Sequence, residues 1–372
     1  MKTKQLPQGW KEKPFLECLE KEASNNKLKI PQKDFLEEGI YPIIDQGNNV
    51  VAGYTNDETK VYSEKLPVVV FGDHTRVFKF IKFPFAIGAD GTKILVPIKE
   101  LNPKFFYYML RKLNLPSAGY SRHYKFLKEK SLVIPPLETQ QKIVSILEKA
   151  EQLKEKRKKS IEVLDEYLKS VFSEMFLKKK FEIKKLSEIC DTSSGGTPSR
   201  GKKEYWENGV IPWIKSGDLN KDQVLGVDEF ITEEGLKNSS VKYIEPDTVL
   251  IAMYGATAGK TSISRIKATT NQAVCAIVPK THNLNKLYLL YLLRAKHNQI
   301  VSLSFGGGQP NISQQVIRSL KIPLPPPPLQ EQFASIVKHV EKLKENQKKS
   351  QEEIEYLFNA LMQKAFQGEL VK

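Results

Sequence analysis

Cysteine is scarce in this chain. The three in 372 residues (Cys18, Cys190, Cys275) lie far apart, with no C-x-x-C pair. That spacing speaks against a disulfide framework or a zinc knuckle and suits small buried apolar residues in a reducing compartment. Histidine is little commoner: the five, at 74, 123, 282, 297 and 339, form no H-x-x-x-H pair that could hold a metal. Long apolar runs are missing too. The densest, Leu287 to Leu293, is far short of a bilayer span, and the start MKTKQLPQGW has no apolar signal core. A cytoplasmic protein with no membrane partner is expected.

Catalytic motifs are missed by spacing. MYGATAGKTS at 253–262 places Gly255 and Gly259 one residue too close for a phosphate-binding G-x-x-x-x-G-K-[ST] loop. The sequence reads more simply as a Gly-permitted turn after the strand 249–252. No [DN]-P-P-[YF] loop of an adenine methyltransferase is present, since the Pro pairs sit in IPPL and PPPPL. FGGGQ at 305–309 lacks the last Gly of F-x-G-x-G, and no E-x-K follows Pro246-Asp247 as a nuclease core would need.

Basic charge is abundant. Lys and Arg number 58 against 43 Asp and Glu, giving a net charge of +15 and a pI near 9.4. Such a surplus favours a polyanionic partner such as nucleic acid. With 40% hydrophobic residues, the chain can bury real cores, and its length suggests at least two domains.

The chain is also written twice. LVIPPLETQQKIVSILEKAEQLKEKRKKS, from 132, matches LKIPLPPPPLQEQFASIVKHVEKLKENQKKS, from 320. LNPKFFYYMLR at 101–111 pairs with LNKLYLLYLLR at 284–294, and GIYPIIDQG at 39–47 with GVIPWIKSG at 209–217. The repeat is too long for a solenoid unit, so a domain and its helix have been duplicated. Each helical copy starts behind prolines and then shows apolar residues at a 3.5-residue period. The seam predicted for the first copy is Ile146, Ala150, Leu153, Leu164, Tyr167 and Val171; for the second it is Ile336, Val340, Leu343, Ile354, Leu357 and Leu361. Both seams lapse midway, at Arg157 and Ser160 and at Gln347 and Ser350. Helices of about 35–40 residues, roughly 50–60 Å long, cannot bury such a stripe alone, so each is expected to pair with the other. The seam admits a parallel or an antiparallel pair; connectivity, each helix leading from one domain towards the next, selects the antiparallel one. The basic run 154–159 reads as a solvated face. The globular halves mix short strands with one helix each, making each half α+β.

The duplication bears on the 253–262 loop. Its counterpart, VFGDHTRVFK at 70–79, keeps one Gly but no Lys-Thr pair. A loop that changes its polar tips suits recognition: Asp73, His74, Thr75 and Arg76 offer base-edge donors and acceptors, as do Thr257 and Lys260. His123, in SRHYKF, is either a hydrogen-bonded surface residue or, with Arg122, Tyr124 and Lys125, part of a basic–aromatic cluster suited to DNA.

Two globular domains alternating with two repeated helices resemble the specificity (S) subunit of type I restriction–modification enzymes. The most specific matches are the two P-P-L…Q helix starts, the stretch from Gly195 to Leu219, YGATAGK at 254–260, TNQAVCAI at 270–277 and FGDHTR at 71–76. The first domain departs by lacking GGTPS and the Asn-Gln pair, having Asp90-Gly91-Thr92 nearby. The resemblance implies an α+β fold in which two target recognition domains, 1–134 and 181–322, alternate with two conserved helical regions, 135–180 and 323–372, paired as an antiparallel coiled coil. It implies a chain without catalytic residues that reads a bipartite double-stranded DNA target. Two methyltransferase subunits would dock on it with S-adenosylmethionine, and restriction subunits with ATP and Mg. Candidate DNA contacts are then Asp73, His74, Thr75, Arg76, Arg122, His123, Tyr124 and Lys125 in the first half. In the second they are Thr197, Lys215, Ser216, Tyr254, Thr257, Lys260, Gln309 and Asn311. Two rival readings are a coiled-coil DNA scaffold without sequence preference and a nucleotide-binding enzyme using the 253–262 loop.

Overall fold

The computed structural model describes residues 6–20, 29–88, 91–117, 119, 121–304 and 310–371. Two compact units emerge, one from 1–158 with 349–372, the other from 159–348. The boundary falls inside both long helices, Leu137–Phe172 and Pro327–Gln367, so each unit holds a segment of each.

Within either unit the two helical segments run antiparallel. In the first, Ile143, Leu147 and Ala150 share a core with Phe358, Met362 and Ala365, and Lys154 pairs with Glu355. In the second, Leu168, Phe172 and Phe176 pack with Val340, Val337 and Phe333, and Asp165 pairs with Lys344. Phe333 meets Phe172 at 5.2 Å and Phe176 at 5.5 Å between ring centroids. Burying each such aromatic is worth about 1.5–3 kcal/mol, which a lone amphipathic helix could not gain.

The inward stripe is phased differently from the predicted seam at four positions. Leu153, Tyr167, Leu343 and Leu357 are exposed, and the stripe runs instead through the next residues, Lys154, Leu168, Lys344 and Phe358. Ala150 and Val340 are buried, while Ile146, Leu164, Val171, Ile336, Ile354 and Leu361 are half-buried at its margin. Where apolar residues flank both choices, the period alone admits two phases. The globular core settles it, because Phe105, Tyr108 and Met109 require Phe358 and Met362 on their side.

Cysteines placed at Lys154 and Glu355 are therefore expected to form a disulfide under mild oxidation, seen as a mobility shift on a non-reducing gel. A partner for Lys154 near residue 344 would refute the register. Background from native thiols is low, because burial raises Cys18 to about 11 and Cys190 and Cys275 to about 12.

The Pro-Pro-Leu…Gln starts are structural clamps. Gln140 is fully buried; its Oε1 accepts from Asn102 N at 2.7 Å, while Nε2 donates to Glu100 O at 3.0 Å and Pro135 O at 2.9 Å. Gln330 repeats this with Asn285 N at 2.8 Å, Asn283 O at 3.0 Å and Pro325 O at 2.7 Å. Asn102 and Asn285 in turn cap the short helices Pro103–Lys112 and Lys286–Ala295, their Oδ1 atoms accepting from two helix N–H groups each. One residue thus ties a long helix to the capped end of a domain helix. Further along, Glu151 accepts from Tyr108 Oη at 2.7 Å and pairs with Lys104 and Arg111. Its repeat equivalent, Glu341, pairs with Arg265 at 3.2 Å, and burial raises its carboxyl even so.

Sheet topology repeats as well. Val68–Gly72, wholly buried, lies antiparallel between Phe78–Ile81 and Thr92–Leu95. Thr248–Ala252 lies likewise between Thr261–Ser264 and Val274–Pro279. Tyr41–Ile44 pairs parallel with Phe85–Gly88, as Ile211–Ile214 does with Ala268–Thr270. The second unit extends its sheet with Cys190–Ser194, where the first has only the bridge Leu19–Pro97 among the described residues.

Candidate nucleic-acid interface

In the first unit the buried strand Val68–Gly72 delivers a tight turn to the surface. A Cβ on Gly72 would lie 2.3 Å from Thr75 Oγ1 and 2.8 Å from Gln46 O, so the close approach requires glycine. Thr75 Oγ1 donates to Gln46 O at 2.5 Å, and His74 N to Gln46 Oε1 at 3.3 Å. Arg76 takes a left-handed φ of 63°, with its N bonded to Gly72 O at 2.8 Å and Nη1 to Leu115 O at 3.2 Å.

Two of the predicted contacts prove to be internal. Asp73 is 2% exposed and His123 1%. Asp73 Oδ1 accepts from Tyr124 N at 2.7 Å, and its carbonyl accepts from His123 N at 2.8 Å. His123 Nδ1 stands 2.9 Å from that same carbonyl, which only accepts, so this nitrogen carries the proton. A buried carboxylate satisfied in this way braces the loop against the 121–125 segment and presents nothing to a base. Tyr124 is half-buried between Phe15 and Phe71, and burial raises its phenol. Thr75, Arg76, Arg122 and Lys125 are exposed and His74 half-buried.

In the second unit a chain of bonds joins several loops. The Thr197 hydroxyl bonds Gln272, and Asn271 N donates to Ile214 O at 2.9 Å. Lys215 N donates to Asp218 Oδ2 at 2.8 Å, and its Nζ reaches Glu229 Oε1 at 2.5 Å. Lys215 first, and Arg200 after it, hold the Glu229 carboxyl below the usual range. Ser216 opens the short turn Ser216–Asn220, whose Asn220 bonds the Lys260 ammonium. Tyr254, exposed, bridges antiparallel to Asn311. Thr197, Lys260 and Asn311 are exposed, Lys215, Ser216 and Thr257 half-buried. Gln309 lies outside the described residues.

The 253–260 loop does not form a phosphate cradle. The N–H groups of Gly255, Ala258, Gly259 and Lys260 go to the carbonyls of Pro310, Gly255, Ala252 and Thr257 at 2.8–3.1 Å. Gly255 and Gly259 have φ of 72° and 78°, which closes the turn on itself. Donors already spent on the chain's own carbonyls cannot ring a phosphate.

Gln46, Arg200, Asn220 and Glu229 hold these loops without having been among the expected contacts. A signal existed for the first: in the matched GIYPIIDQG and GVIPWIKSG, Gln46 stands where Ser216 does. The others become visible only through side-chain partners distant in sequence.

The profile of the family described as "Type I restriction modification DNA specificity domain" matches residues 7–163 and 178–356. This chain belongs to that family. It is a type I specificity subunit with a DNA-recognition role, and the two matches follow the internal duplication. It is 29% identical over 324 residues to the Escherichia coli EcoR124I/EcoR124II specificity subunit, covering 80% of this chain and 79% of that one. It is 31% identical over 182 residues to the Methanocaldococcus jannaschii MjaIX specificity subunit, covering 48% and 41% respectively. The fold matches the M. genitalium S subunit of a type I restriction–modification system with a TM-score of 0.56, at 18% identity over 98% of both chains. It also matches a chain from a study of type I complex assembly and conformational transition, with a TM-score of 0.61 at 17% identity, over 98% of this chain and 100% of that one. No helix among the described residues is long and apolar enough to cross a membrane.

Proposed function

We propose that this subunit is non-catalytic and reads a bipartite DNA target, one half-site for each unit. The observation that carries this reading is a duplicated strand frame bearing different polar tips. Val68–Gly72 and Thr248–Ala252 sit in the same three-strand arrangement, yet the turn after one presents His74, Thr75 and Arg76 and the turn after the other Tyr254, Thr257 and Lys260. One frame with two sets of tips suits two different base sequences, with loop side chains reading base edges and Lys and Arg taking phosphates. The paired helices would dock two methyltransferase subunits, which carry S-adenosylmethionine, and restriction subunits using ATP and Mg. The exposed Leu153 and Leu357 on one unit, and Tyr167 and Leu343 on the other, suit such docking.

Mapping methylated adenines in a host that carries the partner methyltransferase tests the proposal. A two-part motif supports it; methylation without a motif would favour the scaffold reading. Arg76→Ala is expected to relax preference at one position of one half-site and cost about 1–3 kcal/mol, as for a guanine contact. Competition binding with single-base variants checks this. An equal loss on random DNA would make Arg76 a phosphate contact.

A further inference from the structure

We propose that Arg200 is a preorganised phosphate contact of the second unit, one that adds affinity and fixes register without reading a base. The inference rests on the DNA-recognition reading above. Its loop is held from both sides. Trp213 Nε1 donates to Gly196 O at 3.0 Å and Trp206 Nε1 to Ser199 O at 3.1 Å, the two indoles meeting edge-on at 5.0 Å. A Cβ on Gly195 would lie 1.8 Å from Thr270 O, so backbone packs directly on backbone there. The segment leading to Arg200 thus has little freedom left to lose on binding.

The guanidinium lies 3.8 Å from the Trp206 ring centroid and 5.0 Å from that of Trp213. Nη2 donates to Glu229 Oε2 at 2.7 Å, while Glu229 Oε1 takes Lys215. Two cations share one carboxylate, leaving an excess positive charge at a side chain that is 53% exposed. A planar guanidinium can rest on an indole, hold one carboxylate oxygen through a single nitrogen and still offer its other N–H groups.

The same geometry argues against base reading. A guanine contact needs the guanidinium fork aimed into the major groove. Arg200 is held close over the Trp206 ring with one nitrogen engaged by Glu229, and would have to surrender both contacts to enter a groove. A phosphate stands at the rim of the duplex and needs only the N–H groups still free.

The test uses the full chain assembled with its methyltransferase partner, binding target and randomised duplexes across a salt series. Arg200→Ala should weaken binding to both duplexes by the same factor, roughly three- to ten-fold. The slope of log K against log salt should shrink by about 1, and the methylated motif should stay unchanged. Glu229→Gln removes the carboxylate that competes for both cations and keeps the indole stack. It should tighten binding to both duplexes. A relaxed base in the Arg200→Ala motif would make Arg200 a reader and overturn the proposal. So would unchanged DNA binding in either variant with an intact melting transition. If Arg200→Ala fails to fold, Glu229→Gln decides alone, and weaker or unchanged binding refutes the contact. Failure of the unaltered complex to prefer its target would instead sink the recognition reading.

Discussion

Gln330→Leu should lower the stability of the second unit by about 2–4 kcal/mol, although leucine nearly matches glutamine in volume. The change removes three hydrogen bonds, to Asn285 N, Asn283 O and Pro325 O. Each bond contributes about 1 kcal/mol, and the carbonyl of Pro325, buried in the helix start, is left without a donor, which costs more. For a unit of this size the melting midpoint should fall by roughly 5–15 °C. Gln332→Leu, two residues on at an exposed position, should change stability by no more than about 0.5 kcal/mol. Gln140→Leu should reproduce the larger loss in the first unit, since its three bonds are the same. A loss below about 1 kcal/mol at both glutamines would show that the prolines alone set the helix starts.

If the paired helices set the separation of the half-sites, one added heptad in each should lengthen the spacer of the target. Seven residues add roughly 10 Å and keep the phase of the seam. Duplex DNA advances about 34 Å per turn of roughly 10 base pairs, so length alone calls for about three more pairs. Each added pair also rotates the second half-site by roughly 34–36°, which the helices cannot fully follow. The methylation motif should therefore gain about one to three spacer pairs with both half-sites unchanged, and the original sites should go unmethylated. An unchanged spacer, or new bases in either half, would refute the ruler. The polar midpoints near Arg157 and Gln347 suit the insertion, because no large buried apolar side chain stands there to be displaced.

Long-range repetition and short-range chemistry are legible in the sequence alone. The matched PPL…Q starts, the paired LNP…MLR and LNK…LLR helices and the GIYPIIDQG and GVIPWIKSG strands all reappear as equivalent elements. Proline stops, Asn caps and heptad periods act within a few residues of chain, so sequence suffices to find them. The outward tips were less legible. Asp73 and His123 carry the side chains a base-reading loop would use, yet they bond each other's segments across a sequence separation of 50 and disappear inside.

Sequence by itself determined that the chain is duplicated, that each copy couples an α+β domain to a long amphipathic helix, and that the phosphate-loop spacing fails. Tertiary structure alone decided which of two heptad phases turns inward, because Phe358 and Leu168 must meet cores built from residues far away. It also decided that Gln140 and Gln330 are clamps and that Arg200 lies on Trp206 against Glu229. Those roles depend on partners brought together by folding, and burial or exposure of a polar side chain is a property of its neighbours in space.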